Sequence, residues 1–441
     1  IPKNIQSPNA ASLGQYGDVP VSFYHGTANV NIPIYSTKEQ GIPLDISLNY
    51  DTSGVRVNSV PGWVGQNWSL NAGGVITRTV QGKFPDEYLV VDGNYNKPKG
   101  YLAHYSKLNN INILDDNILK NLLYKNYIDH VNIPGPDFWH DLEPDIFTFN
   151  FMGHTGKFFL STDGAWKVSS ESNIKVLINS EEFSYPIERI NVCTNINFTN
   201  CGYVYPKVIS KITLIDDLGN SFVFGENPNA VEYSHPDFFY QSSYSLISSS
   251  WFLSKVKDVH GNIVYDFEYE RKGYNASFYN NYSKTPFSKQ NESRFMYNGS
   301  SCSNSSMPDD NLYGQLLIPS YLKKIRMFSG KEIEFTKSKV NSKTYSRYDS
   351  ELDKRLRISN DWVSSNGSQS MYFDYLFLLD YNNPFVFFNS AHESIDKLEW
   401  QKLTQIKLPS ETVTLKYNED YYTSTERLNL KDIKIGDKKY S

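Results

Sequence analysis

Residues 21–35 read V-S-F-Y-H-G-T-A-N-V-N-I-P-I-Y, residues 42–55 read I-P-L-D-I-S-L-N-Y-D-T-S-G-V, and residues 63–78 read W-V-G-Q-N-W-S-L-N-A-G-G-V-I-T-R, with F-P-D-E following at 84–87. Apolar and polar residues alternate through Asn29–Tyr35 and Leu44–Tyr50, which is the period of a half-buried antiparallel strand. Gly62 and Gly65 then mark a tight corner flanked by Trp63 and Trp68, and Gly73-Gly74 breaks the chain before another strand, Val75–Thr79. These six residues are the structural core of the block: the tryptophans, with Leu70, are expected to be buried around the corner, and the glycine pair to allow close backbone approach.

Composition extends the β reading to the whole chain. Aromatic residues make up 15% of the sequence, with 33 Tyr and 26 Phe, and such residues favour pleated, half-buried surfaces. Cross-strand packing is the ordinary use of that many tyrosines; stacking on a glycan or partner is the minority use. The 441 residues exceed one small core and imply several subdomains or one large β-assembly. Lys and Arg are dispersed among acids and the formal net charge is −5, which argues against a nucleic-acid partner. No apolar run approaches the ~20 residues of a transmembrane segment. The sequence opens at Ile1 rather than Met, as expected where a secretory signal has been removed.

Working outward, one loose plan recurs: an apolar residue, Lys, a β-branched residue, a turn, then an alternating strand. It is seen at Ile209–Phe224, Leu253–Tyr269, Tyr321–Phe335 and Leu403–Tyr417, with Gly219-Asn220 and Gly261-Asn262 supplying positive-φ turn positions. Asp115–Asp129 breaks the plan, with Ile118, Leu122 and Leu123 near helical spacing, and predicts one short helix. Asn275–Asn311, rich in Asn, Ser and Tyr, reads as a long loop. The expected organisation is therefore an N-terminal β-block (1–90), an insertion with the helix (91–145), a hairpin region (146–274), the loop (275–311) and a C-terminal hairpin region (312–441). The fold class is all-β: antiparallel hairpins forming a curved or partly closed shell or cap, with one short helix.

Signals for chemistry are weak. The acidic run Asp137–Asp145, with His140, has carboxylates for a divalent cation, yet it lacks the ligand alternation and turn glycine of a calcium loop and any second histidine at metal-site spacing. It reads instead as a structural lead-in to a strand. His154 and His260 sit in turns and read as solvated turn residues. No G-x-S-x-G, H-E-x-x-H, phosphate loop or dinucleotide fingerprint is present, so nothing in the sequence proposes catalysis, a cofactor or a metal. Cys193 and Cys201 flank a short polar loop that a disulfide would close in an oxidising compartment; Cys302 would then be left over.

The block Val21–Glu87 closely resembles the N-terminal region of bacterial RHS/YD-repeat proteins, especially those of Bacteroidetes, and is more distantly similar to the opening domain of B components of insecticidal toxin complexes. Glu143–Phe159 resembles a recurrent hairpin-entry segment of the Bacteroidetes family, and the hairpins from Ile209 to Tyr440 extend the resemblance weakly. The resemblance implies part of a hollow β-shell or its cap, in a secreted or cell-surface protein using export machinery of the type IX kind. It implies a non-catalytic role in adhesion or gliding motility through a protein partner, either a YD-repeat adhesin or the remainder of its own chain. Two alternatives stay open: the shell-forming part of a toxin or effector carrier, and a carbohydrate-binding surface module. The tandem G-x-Y-x-Y-D repeats of the family are missing, and Lys434–Ser441 reads as an unfinished hairpin. The alternating strands from Leu403 onward would then present an apolar face and an open edge for a partner to cover.

Overall fold

The strand Ile247–Lys257 organises the molecule. Its first half pairs with Val231–His235 and Gly74–Thr79, and its second half with Ser221–Gly225 and Ile263–Glu270, every pairing antiparallel. In this computed structural model the described residues are 15–16, 19–22, 27–54, 61–82, 84–92, 95–98, 100–102, 141, 143–178, 183–184, 208–235, 247–272, 275–280, 312–340, 377–378, 386–387, 400–418 and 428–440.

Two sheets share that strand. The first runs Trp166–Ser170, His154–Leu160, Ile146–Phe151, Gly74–Thr79, Ile247–Lys257, Val231–His235, Leu312–Ile318, Asn275–Asn280. The second runs Lys175–Leu177, Lys211–Ile215, Ser221–Gly225, Ile247–Lys257, Ile263–Glu270, Tyr321–Met327, Glu332–Lys339, Gln401–Lys407, Thr412–Asn418, Asn429–Ile435, Lys438–Tyr440. Together they make one continuous antiparallel assembly. A third sheet, ordered Gln15–Tyr16, Val19–Ser22, Thr27–Glu39, Ile42–Asp51, Trp68–Ala72, leads into the first through Gly73. The all-β expectation therefore holds, and register shifts at Val223/Phe224, Glu232/Tyr233, Val256/Lys257 and Glu268/Tyr269 supply the extra local twist that curves such sheets. A 3-10 turn, Pro228–Ala230, bridges Ser221–Gly225 and Val231–His235, started by Asn227, whose side chain accepts the Asn229 N–H at 2.9 Å.

Aromatic packing forms the core. Phe147, Phe149, Phe151, Phe158, Phe222, Phe224 and Trp251 are all fully buried. Phe147 and Phe158, directly opposite each other across adjacent strands, stack with centroids 4.9 Å apart. Burying each such ring contributes about 1.5–3 kcal/mol, and the period-2 pattern I-F-T-F-N-F at 146–151 turns its phenylalanines to one buried face.

The hairpin turns follow from sequence in detail. In Asp216–Asn220 and Asp258–Asn262 the first Asp Oδ1 accepts two backbone N–H groups and its Oδ2 accepts the Asn side-chain amide, while Gly219 and Gly261 adopt φ +83 and +87°. D-x-x-G-N is thus one turn used twice.

Several expectations change. Asn275–Asn280, read as the start of a long loop, is a strand: its backbone pairs along its length with Leu312–Ile318, and that ladder overrides a composition poor in aliphatic anchors. Lys434–Ser441 is not an unfinished hairpin in its described part, because Ile433 pairs with Tyr440 and Ile435 with Lys438. Nor is the apolar face from Leu403 onward open; Leu403, Ile406, Val413, Leu415 and Ile433 are buried in this chain's own core. Gly74–Thr79 pairs with both Ile146–Phe151 and Ile247–Lys257. The helix at Asp115–Asp129 and the pair Cys193 and Cys201 lie outside the described residues, as does most of the acidic run. Among the described residues no helix is long and apolar enough to cross a membrane.

Candidate functional site

The glycine–tryptophan corner ties the N-terminal block to the far end of the second sheet. Gly62 and Gly65 form a bridge of their own, the Gly65 N–H donating to the Gly62 carbonyl at 3.0 Å. The Gln66 N–H donates to the Leu428 carbonyl at 2.7 Å, and the Leu403 N–H to the Trp63 carbonyl at 2.8 Å. Gly65, at φ +121°, lies so near this strand that an added Cβ would stand 3.2 Å from the Leu428 oxygen. Gly73 and Gly74 do allow close approach: a Cβ at Gly73 would meet the Phe267 ring at 2.7 Å, and one at Gly74 would strike the main chain of Phe151. The tryptophans depart from expectation. Trp63, Trp68 and Leu70 are half-buried, while Val64 is the fully buried residue of the corner. Among the described residues Trp68 lies on a terminal strand of its sheet; its ring rests on Tyr50, centroids 5.1 Å apart.

A second constellation, absent from the sequence reading as a group, is a buried charge cluster. Period-2 alternation puts Ile76 and Arg78 on the same face of Gly74–Thr79, opposite Phe149 and Phe147. The Arg78 guanidinium is accordingly delivered into the aromatic core, over Phe147 at 5.1 Å and Trp251 at 4.9 Å. It is met there by Glu87 at 3.0 Å and Asp145 at 3.7 Å, and both Arg78 and Asp145 side chains have 0% exposure.

The carboxylates are committed to backbone. Asp145 accepts the Gln81 N–H at 3.0 Å with one oxygen and the Asp86 N–H at 3.0 Å with the other, and its own N–H donates to Asp86 Oδ1 at 2.9 Å. Glu87 accepts the Ile209 N–H at 3.2 Å, and the Ile209 carbonyl accepts the Trp251 indole N–H at 2.8 Å. Asp141 takes the Phe84 N–H, and Gly82, at φ +80°, wraps the chain around the Asp141 carboxylate. The loop Gln81–Glu87 is thereby fastened to the lead-in of Ile146–Phe151, to Val208–Ile209 and to the shared strand. Asp141 and Asp145 belong to the acidic run, and both accept backbone N–H groups. Among the described residues no group of three or more His, Cys, Asp or Glu is arranged to hold a metal ion.

Electrostatics follow from burial. Desolvation pushes Asp86 up to about 8, aided by the charge of Asp145 and opposed by Arg78. Desolvation likewise pushes Asp145 up to about 6, against the pull of Arg78. Burial alone would lower Arg78, but Glu87 and Asp145 more than reverse this and leave it raised. A second buried acid, Glu232, is raised by desolvation and takes a hydrogen bond from Ser250. His154 is half-buried rather than solvated, packed on Phe151 with its Nδ1 3.0 Å from Ser172 Oγ; His260 is exposed in its turn.

No protein-family model matches the chain. No curated protein matches it either. Among solved structures it is similar to the N-terminal domain of effector protein SpvB from Salmonella typhimurium strain LT2, at 10% identity and a TM-score of 0.30, over 92% of this chain and 98% of that one. That likeness is too distant to assign a role.

Proposed function

We propose that the chain is a non-catalytic structural part of an exported bacterial surface assembly of the RHS/YD-repeat kind, a cap or shell segment acting through protein–protein contact. The observation that carries this reading is the continuity of the sheet system: two sheets share Ile247–Lys257, and the N-terminal corner is hydrogen-bonded to Leu403 and Leu428 at the other end of the described chain. A continuous sheet of this kind suits a wall that is contacted by other proteins. The buried charges are spent on backbone amides, which supports a scaffolding use for them, and the resemblance of Val21–Glu87 to the family points the same way.

The test is cross-linking of the native protein on intact producing cells, followed by mass spectrometry and mass determination of the purified complex. Cross-links to a YD-repeat protein, or to further parts of the same polypeptide, are the expected result. A soluble monomer of 50.7 kDa with no cross-linked neighbour would overturn it. Cross-links to an enclosed effector would replace the adhesin reading by the carrier reading, and saturable binding on a glycan array would favour the carbohydrate-binding reading.

A further inference from the structure

Glu87 and Asp145 meet the single guanidinium of Arg78, Asp86 is hydrogen-bonded to Asp145 beside them, and the Arg78 side chain and all three acids are buried. Fully ionised, the group would carry two uncompensated negative charges in an aromatic pocket. Buried charge of that kind is far costlier than in water, and neighbouring carboxyls relieve it by keeping a proton. The geometry indicates where that proton sits. Both oxygens of Asp145 accept backbone N–H groups, and Glu87 faces Arg78. Asp86 accepts one N–H on Oδ1, and its Oδ2 is buried with no hydrogen-bond partner.

We propose that the Asp86–Asp145 pair holds a proton at neutral pH, and that this proton is a latch keeping the loop Gln81–Glu87 seated on the lead-in to Ile146–Phe151, so that the joint tightens in acid and loosens in alkali. The charged groups facing the pair are Arg78 from the neighbouring strand and Glu87 from the same loop. Val208–Ile209 and Ile247–Lys257 contribute the uncharged Ile209 amide and Trp251 ring. Arg78 is therefore the one cation of the cluster among the described residues, and removing the proton sets two carboxylates against each other across a reciprocal pair of amide hydrogen bonds.

The sign of the pH effect is opposite to that of an ordinary ion-paired carboxylate. Both groups titrate higher in the folded chain than in the unfolded one, where Asp ionises near pH ~3.9. Their contribution is complete below that value and is lost as pH rises through about 6 and about 8. The unfolding constant should rise by up to ~10-fold per pH unit for each proton that the folded state holds and the unfolded state does not.

The experiment follows guanidinium unfolding of the full chain from about pH 5 to about pH 9, for the wild type and for Asp86→Asn, which mimics the protonated acid without titrating. The wild type should lose stability steadily across that range, and the variant should lose much less above pH ~6. Equal slopes, or a flat wild type, would overturn the proposal. Should Asp86→Asn fail to fold, infrared spectroscopy of the folded wild type decides: a buried carboxylic-acid carbonyl band present near neutral pH and gone in alkali supports the latch, and its absence near neutral pH defeats it.

Discussion

Asp86 and Asp145 each donate their backbone N–H to the other's carboxyl group, at 3.0 and 2.9 Å, across 59 residues of chain. Each acid thus completes the other's main chain, and the two loops that carry them are joined as a pair of strands would be, but by side chains. Because Asp145 also accepts from Gln81 and faces Arg78, its carboxyl group serves three partners at once.

Asp145→Ala should therefore be severely destabilising. It leaves the Gln81 and Asp86 amides without their acceptor and removes one of the counter-charges of buried Arg78. Breaking a buried pair from one side costs about 3–5 kcal/mol, which chemical denaturation would register as a large fall in midpoint.

Trp68→Ala should cost less than a core tryptophan would. The ring is half-buried against Tyr50, so the expected loss is roughly 1.5–3 kcal/mol rather than the ~3–5 of full burial. Thermal or denaturant unfolding distinguishes the two, and a loss near the upper figure would mean that the terminal strand is covered on its outer side.

Gly74→Ala and Gly62→Ala form a matched contrast. A methyl group at Gly74 meets the main chain of Phe151 and the Asn150 oxygen, an overpacking expected to cost about 1–3 kcal/mol. At Gly62 nothing lies within 4 Å, and the change should stay within ~0.5 kcal/mol. Equal effects in parallel unfolding curves would contradict the close approach described at Gly74.

Tyr265→Phe should free the tip of the N-terminal hairpin. The hydroxyl donates to the Ile42 carbonyl at 2.8 Å and accepts the Glu39 N–H at 3.1 Å, which docks Thr27–Glu39 and Ile42–Asp51 on the second sheet. Losing it should cost roughly 1–3 kcal/mol and speed hydrogen exchange at the Glu39 amide while leaving the Phe147 and Phe149 amides protected.

What the sequence reveals and what it hides differ by range of interaction. Leu44–Tyr50 alternates and is a strand; the D-x-x-G-N turns carry their own acceptor and glycine, and they form as read. Such features are local, so their physics is complete within a few residues. The cluster is not local. Arg78, Asp86 and Glu87 gain meaning only when Asp145 arrives from 59 residues beyond Asp86 and Ile209 from 122 beyond Glu87. One signal was available: a charged residue, Arg78, at the parity of Ile76, which marks an ion carried to the apolar face. Asn275–Asn280 misled for the same reason, because the strand it pairs with, Leu312–Ile318, lies far along the chain. Trp68 misled because large aromatic residues near glycine corners suggest burial, whereas among the described residues its strand has a neighbour on one side only and its ring is half-buried.

The shared strand makes the protein indivisible. Hairpins of similar design suggest units that could be copied, exchanged or cut apart, yet Ile247–Lys257 supplies ladder partners to both sheets along its two halves. A break in the chain between Thr79 and Ile247 would leave one piece with Gly74–Thr79 and the other with its pairing strand, so neither could complete the first sheet. Two such fragments should associate and restore the fold when mixed, behaving as halves of one object rather than as neighbouring domains. Recombination within this gene would then be tolerated at the rim of turns and not through the middle of the sheets.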